Sequence, residues 1–403
     1  MGPSTRRWLR TLAAVLPLAT ITATAFACSS PSHPGYFVPP DDFDAASAET
    51  TDPSFDANQD AAPLNCSAVE AGVLCACKEI GQRPTLIYVL LDRSGSMVEM
   101  PGTSTVTKWE LIRRALLDPS TGALRKLGSK IRLGVAVFPG SDALACATEV
   151  EAFPVTRGSA SAYDKLEAQL KGIVPGGATP TAASLTSLKT SLAGVEGPIY
   201  VLLATDGGPN CNETVACTPA LCIPCIEHDY IVDASGNPTG AFCDDKNNCC
   251  DPSVFGAGAN GNCLDTASTQ SAVAALTSAG VKTFVLGVPG AGPYGTYLDQ
   301  LAAAGGTDHY YPATDTTQAA LEAALDAITA KAVDSCVITL ENPPTDPGLT
   351  NVIVDGTTVA KDPVDGWSWG DGNASIVLNG AGCVAAKAAV NIQVAVGCKT
   401  LTR

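Results

Sequence analysis

Basic residues are scarce in this chain: 24 Lys and Arg stand against 40 Asp and Glu, a formal net charge of -16 over 403 residues. Such a surface repels phosphate backbones and offers no basic stripe, which excludes nucleic acid as a partner. Histidine is scarcer still. The three present, His33, His228 and His309, all precede Ser368, the centre of Gly366-Trp367-Ser368-Trp369-Gly370. That run has the form of a G-x-S-x-G nucleophile elbow, which needs a strand before it, a helix after it and a later histidine. An Asp371-Gly372 turn and an apparent strand follow instead, so no elbow is expected. Trp367 and Trp369 are expected to pack in a β domain, with sugar stacking as the alternative. An apolar run from Leu12 to Ala27, broken by Pro17, is too short for a membrane span of about 20 residues. No internal repeat recurs at a fixed period.

That run follows Arg6, Arg7 and Arg10 and ends in Ala25-Phe26-Ala27-Cys28, the order of an export signal over residues 1–27. Cys28 stands where bacterial lipoproteins carry their acylated cysteine, and the signal resembles theirs, although Ala25 holds the place where leucine is usual. Cleavage before an unmodified Cys28 is the alternative. Arg6-Arg7 partly resembles a twin-arginine signal, but Leu9-Arg10 departs from its apolar pair. Residues 28–65 read as an acidic tether, with no Lys or Arg and seven acidic residues between Ser29 and Asn65. With Ser29 giving no sign of inner-membrane retention, the expected location is the outer membrane or cell surface, or else the medium. Sixteen cysteines in an exported chain imply a disulfide framework, and acylation of Cys28 would leave an odd number to pair.

Residues 66–83 form a cysteine-containing lead-in to the first strong strand, Thr85 to Leu91. Similar unbroken apolar runs recur at Ile131 to Phe138, Ile199 to Ala204 and Val281 to Val288, as strands buried on both faces require. Between them lie helical patterns. Lys108 to Leu117 carries Trp109, Ile112 and Leu116 on one face, and Thr316 to Val333 carries Leu321, Leu325 and Ile328. The alternation predicts an α/β domain over residues 84–333 with a doubly wound, mostly parallel sheet, whose ligands bind in loops at the carboxyl ends of the strands. A cysteine-rich insertion occupies residues 211–263. Short Val- and Ile-rich runs between turns predict a small β domain over residues 334–403.

The first strand runs into Asp92-Arg93-Ser94-Gly95-Ser96, placing one carboxylate and two hydroxyls in a tight turn. With Thr179 in GGATPT and Asp206 in LLATDGG, the DxSxS motif resembles the metal-ion-dependent adhesion site of von Willebrand factor A domains. All five ligand types occur in that family's order, and TFVLGVPG followed by LDQLAAAGG resembles a later strand and helix of bacterial members. The resemblance implies three loops converging around Mg2+, with Mn2+ or Ca2+ as alternatives. It implies that Ser94 and Ser96 bind directly, Thr179 directly or through water, and Asp92 and Asp206 largely through water. Hard cations prefer such oxygen ligands. Neutral hydroxyls leave charge for an outside Glu or Asp to satisfy.

The expected function is a non-enzymatic binding or adhesion protein that captures an acidic group of a protein partner, with a membrane link through a lipid on Cys28. A structural envelope scaffold, in which metal only steadies the loops, is the alternative. Hydrolysis through metal-activated water lacks a nearby histidine. Within the insertion, Cys222-Ile223-Pro224-Cys225 with Cys249-Cys250 has some zinc-site character, but an oxidising compartment favours disulfides. His228 and Asp229 are expected to be solvated loop residues. The insertion begins five residues after Asp206, at the expected metal rim.

Overall fold

The eight residues Thr85–Asp92 form strand β1, and all but the first are buried, as an apolar run covered on both faces requires. The computed structural model describes residues 78–140, 146, 150–232, 237–313, 315–333, 336–389 and 391–402. The export signal, Cys28, the tether and residues 66–77 of the lead-in lie outside the described residues. Around β1 the sheet adds β2 (Ile131–Phe138), β3 (Glu151–Arg157), β4 (Ile199–Thr205), β5 (Lys282–Gly287) and β6 (Tyr311–Pro312). Their spatial order is β3-β2-β1-β4-β5-β6, and every neighbouring pair is parallel except β2 with β3. The edge position of β3 accommodates Pro154, which has no N–H for a central ladder. Register aligns Asp92 with Phe138 and Leu91 with Ala204, so β1, β2 and β4 end level and deliver their loops together.

Alternate residues of β1 enter separate cores. Ile87, Val89 and Leu91 pack with helices α1 (Lys108–Leu117), α2 (Ala160–Lys171) and α6 (Gln318–Ala332). Leu86, Tyr88 and Leu90 pack with α3 (Thr181–Ser191), α4 (Thr266–Ser278) and α5 (Gly295–Ala304). The helix starts are local in origin. Thr107, Ser159, Asp265 and Thr317 each accept a backbone N–H three residues on, satisfying donors that the first turn leaves open.

The C-terminal unit has a third core around the fully buried Trp367, with Val352, Val394 and Ile376. Its three-stranded sheet orders Val337–Thr339, Ser375–Leu378 and Trp367–Trp369, and helix Gly380–Ala388 lies beside them. Its four-stranded sheet orders Lys78–Glu79, Ile392–Val396, Thr350–Val354 and Thr357–Val359. The chain ahead of β1 is therefore built into this unit. Ile80 N–H donates to Val394 C=O at 2.9 Å, and Gln82 Nε2 donates to Ile392 C=O at 3.0 Å. In chain order, the head sits between the first strand of the β unit and all its others.

Among the described cysteines none is free. Cys336–Cys383 staples the β unit, while Cys217–Cys263, Cys222–Cys250 and Cys225–Cys243 staple the insertion. Cys146–Cys211 ties the start of the insertion to the segment after β2. Two sulfur groups, Cys222/Cys225/Cys243 and Cys217/Cys250/Cys263, lie close enough to share an ion, but every member is committed to a disulfide. No described helix is long and apolar enough to cross a membrane.

Candidate metal centre

Three loops meet at the carboxyl ends of β1 and β4, beside the point where strand order reverses from β1-β2-β3 to β4-β5-β6. Asp92 closes β1 and is fully buried. Its Oδ1 accepts the Ser94 N–H at 2.7 Å and its Oδ2 accepts the Thr205 hydroxyl at 2.6 Å, which shapes the DxSxS turn and ties it to the end of β4. Ser94 Oγ lies 3.2 Å from Ser96 Oγ, and Ser96 Oγ donates to Asp206 Oδ1 at 2.9 Å. Four of the five residues singled out in the sequence are thus joined by direct contacts.

Thr179 joins through its backbone. Gly95 N–H donates to Gly177 C=O at 2.9 Å, and Gly176 N–H donates to Arg93 C=O at 2.7 Å, zipping the first two loops together. Thr179 N–H donates to Asn210 Oδ1 at 2.8 Å, while Asn210 N–H donates to Thr179 C=O at 2.9 Å, zipping the second to the third. Arg93 supports the arrangement from the side of β2: its N–H donates to Phe138 C=O and its Nε to Pro139 C=O, both at 2.7 Å.

The buried charge is unusual. Asp92 and Asp206 are both sealed from solvent. Burial pushes the Asp92 carboxyl upward, and the charge of Asp206 adds to that shift; burial likewise raises Asp206. One cation opposes this. Lys108, itself buried, places Nζ 2.8 Å from Asp206 Oδ2 and 2.6 Å from the largely exposed Glu99. Burial works against its charge, but these two carboxylates outweigh that and its pKa is raised.

The donors are all oxygen, which suits a hard cation. Oxygens around octahedral Mg2+, at roughly 2.0–2.1 Å from the ion, lie about 3 Å from their neighbours. The 3.2 Å and 2.9 Å separations along Ser94, Ser96 and Asp206 match such edges. A buried pair of carboxylates, both with raised pKa, is also what a cation would relieve. The residues present therefore fit a divalent ion.

The insertion reaches this rim. Tyr294 Oη donates to Glu227 Oε1 at 2.7 Å. Burial of its carboxyl group pushes Glu227 up to about 7, with the charges of Asp229, Asp206 and Glu99 adding and the Tyr294 hydrogen bond opposing, although the residue as a whole is exposed. His228 stacks on Phe242 with ring centroids 4.4 Å apart. In the β unit, Ser368 lies in a strand that pairs with another strand, and its hydroxyl accepts from Asn379. The full burial of Trp367 leaves no face for a sugar.

Sequence reasoning missed Lys108, Thr205, Asn210 and Glu227. Lys108 alone carried a signal. It opens an amphipathic helix, where a cation meets the positive end of the macrodipole, so a nearby carboxylate had to be its partner.

No protein-family model matches the chain, and no curated protein matches it. Among solved structures, the chain is similar to the pilus adhesin SpaC from Lactobacillus rhamnosus GG at 14% identity and TM-score 0.41, covering 79% of this chain and 40% of that one. It is similar to the PilB minor pilin from Streptococcus sanguinis at 17% identity and TM-score 0.40, covering 62% and 61%. For the vWF domain of the type V pili tip protein Mfa5 from Porphyromonas gingivalis, identity is 14% and TM-score 0.39, covering 62% and 95%. The chain spans less than two thirds of the SpaC and PilB structures.

Proposed function

We propose that this chain is a cell-surface binding protein with a doubly wound, von Willebrand factor A-type head. Asp92, Ser94, Ser96, Thr179 and Asp206 hold a divalent cation, Mg2+ or alternatively Mn2+ or Ca2+, which captures a Glu or Asp carboxylate of a protein partner. The observation that carries this reading is the contact chain from Ser94 through Ser96 to Asp206, set beside the buried Asp92. The bound cation supplies an electrophilic position for an outside carboxylate. Ser94 and Ser96 orient it without neutralising it, and Asp92 holds the turn through Ser94 N–H and the Thr205 hydroxyl.

Two observations favour capture over a scaffold role. The loops are already joined by backbone bonds between Gly95 and Gly177, Gly176 and Arg93, and Thr179 and Asn210, so a metal is not needed to hold them. Ser96 is only half-buried, so its hydroxyl stays within reach of an outside group, and Val98 and Met100 just beyond it are 46% and 62% exposed. Export, with a lipid on Cys28 or release into the medium, places the protein where such a partner is met.

Calorimetric titration of Mg2+ and Mn2+ into the exported chain tests the site. Saturable one-site binding, lost in Asp92→Ala, and partner retention from an envelope extract that EDTA abolishes are the expected results. Partner binding that survives EDTA supports the scaffold, and turnover that Asp92→Ala abolishes supports an enzyme.

A further inference from the structure

The Lys108 ammonium is the one positive group bonded to the candidate ligands among the described residues, and its surroundings are closed. It lies 2.8 Å from Asp206 Oδ2 and 2.6 Å from Glu99 Oε2. A Cβ at Gly290, whose φ is +114°, would come within 2.8 Å of Nζ, so the backbone after β5 walls the ammonium in. Asp206 is thereby used on both oxygens, Oδ1 by the Ser96 hydroxyl and Oδ2 by Lys108. Its helix position does not explain the lysine, because a cation at the start of α1 is disfavoured by the dipole.

Resting on the metal-site reading above, we propose that Lys108 is a positioning residue that sets the charge of the centre. A divalent ion between Asp92 and Asp206 would be neutral overall, with little call for a further anion. Lys108 leaves one positive charge and occupies Asp206 Oδ2, so that only Oδ1 faces Ser96. The centre then binds bare metal more weakly and an outside carboxylate more strongly. Glu99, largely exposed, moderates this by sharing the ammonium.

The test uses the exported chain with Mn2+ alone and then Mn2+ with acetate, following metal uptake by calorimetry and acetate entry by the loss of water-proton relaxation. For a unit charge a few ångströms away at an effective dielectric near 20, Lys108→Met is expected to bind Mn2+ at least about a hundredfold more tightly, and acetate on the order of a hundredfold more weakly. Lys108→Arg, which keeps the charge, restores both towards wild type. Glu99→Gln shifts both the opposite way, with weaker Mn2+ and tighter acetate. A structural role alone would not move the two affinities in opposite directions. Lys108→Met that folds and binds both ligands as wild type does overturns the proposal. If Lys108→Met does not fold, unchanged affinities in Glu99→Gln overturn it. Failure of wild type and every variant to bind Mn2+ removes the metal centre itself, whereas Mn2+ binding that ignores these substitutions removes only the role of Lys108.

Discussion

Asp92→Asn separates the charge of Asp92 from its architecture. An Asn at this position keeps an acceptor for the Ser94 N–H, and its amide can donate to a Thr205 hydroxyl turned to accept, so both bonds of 2.7 and 2.6 Å survive. What disappears is a fully buried carboxylate whose pKa rises from 3.8 to about 7, through burial and then the charge of Asp206. A group with a raised folded pKa lends stability below its unfolded pKa and loses it as pH climbs through the folded value. At pH 8 the ionised Asp92 therefore costs metal-free wild type about 4 kcal/mol for the full shift, or about 2 if half is relieved by water entry or shared with Asp206. Without metal, Asp92→Asn should be more stable than wild type at pH 8 by that amount, raising Tm by roughly 5 to 10 °C. At pH 4, close to the unfolded pKa, the difference should shrink to below about 1 kcal/mol. Mg2+ at a thousand times its Kd adds about 4.1 kcal/mol to wild type alone, which should cancel an advantage of about 4 kcal/mol and reverse one of about 2. Thermal unfolding in EDTA and in Mg2+, at both pH values, reads all of this. A variant less stable than wild type in EDTA at pH 8, or one that gains equally from Mg2+, would refute the reasoning.

Three further outcomes are expected. Mn2+ affinity should fall about tenfold per pH unit below about 7, because a proton must leave Asp92 for the metal to bind; a calorimetric profile flat from pH 5 to 8 would contradict this. Asn210→Ala strands the buried Thr179 N–H, costing about 1 to 3 kcal/mol in urea unfolding and weakening Mn2+ binding. Asn210→Asp keeps the acceptor and should lose less stability. Trp367→Ala empties the centre of the β unit and should cost about 3 to 5 kcal/mol. That loss should appear as an early, separate calorimetric transition with Mg2+ binding to the head retained.

Strands with continuous apolar runs were legible because burial on both faces leaves one compositional mark, and β1, β2, β4 and β5 lie where those runs do. β3 was not, since an edge strand with Pro154 carries a broken, half-exposed pattern. Helix Gly380–Ala388 was missed inside a segment read as β, where GAGCVAAKA is flanked by turn residues and Val-rich runs. Within the site, DxSxS and Asp206 were legible as side-chain types after strands, and Thr179 as a hydroxyl in a Gly-rich loop. Asn210 was not, because its role is to answer the backbone of Thr179, and no side-chain pattern encodes which backbone a distant loop will meet. The strand at Lys78–Glu79 was hidden for the same reason: it is two residues long, and its partners Ala395 and Val396 lie at the far end of the chain.

That last pairing bears on how the site is presented. The chain enters the head at Thr85, on the amino end of β1, and leaves it after Ala332, and these residues line one cavity with Val337, Thr339 and Ile392 of the β unit. The β unit therefore meets the head at the amino ends of its strands. The candidate metal ligands stand at the other end, across the eight residues of β1, about 25 Å away at the rise of an extended strand. An arrangement with the site on the same end as the connections would crowd any partner against the β unit. Here both connections lie at the end of the sheet away from the candidate ligands. What borders the site is the stapled insertion, whose Glu227 accepts the hydroxyl of Tyr294 of the head. Both ends of the head are thereby held by one unit, through the pairing of Lys78–Glu79 with Ala395 and Val396.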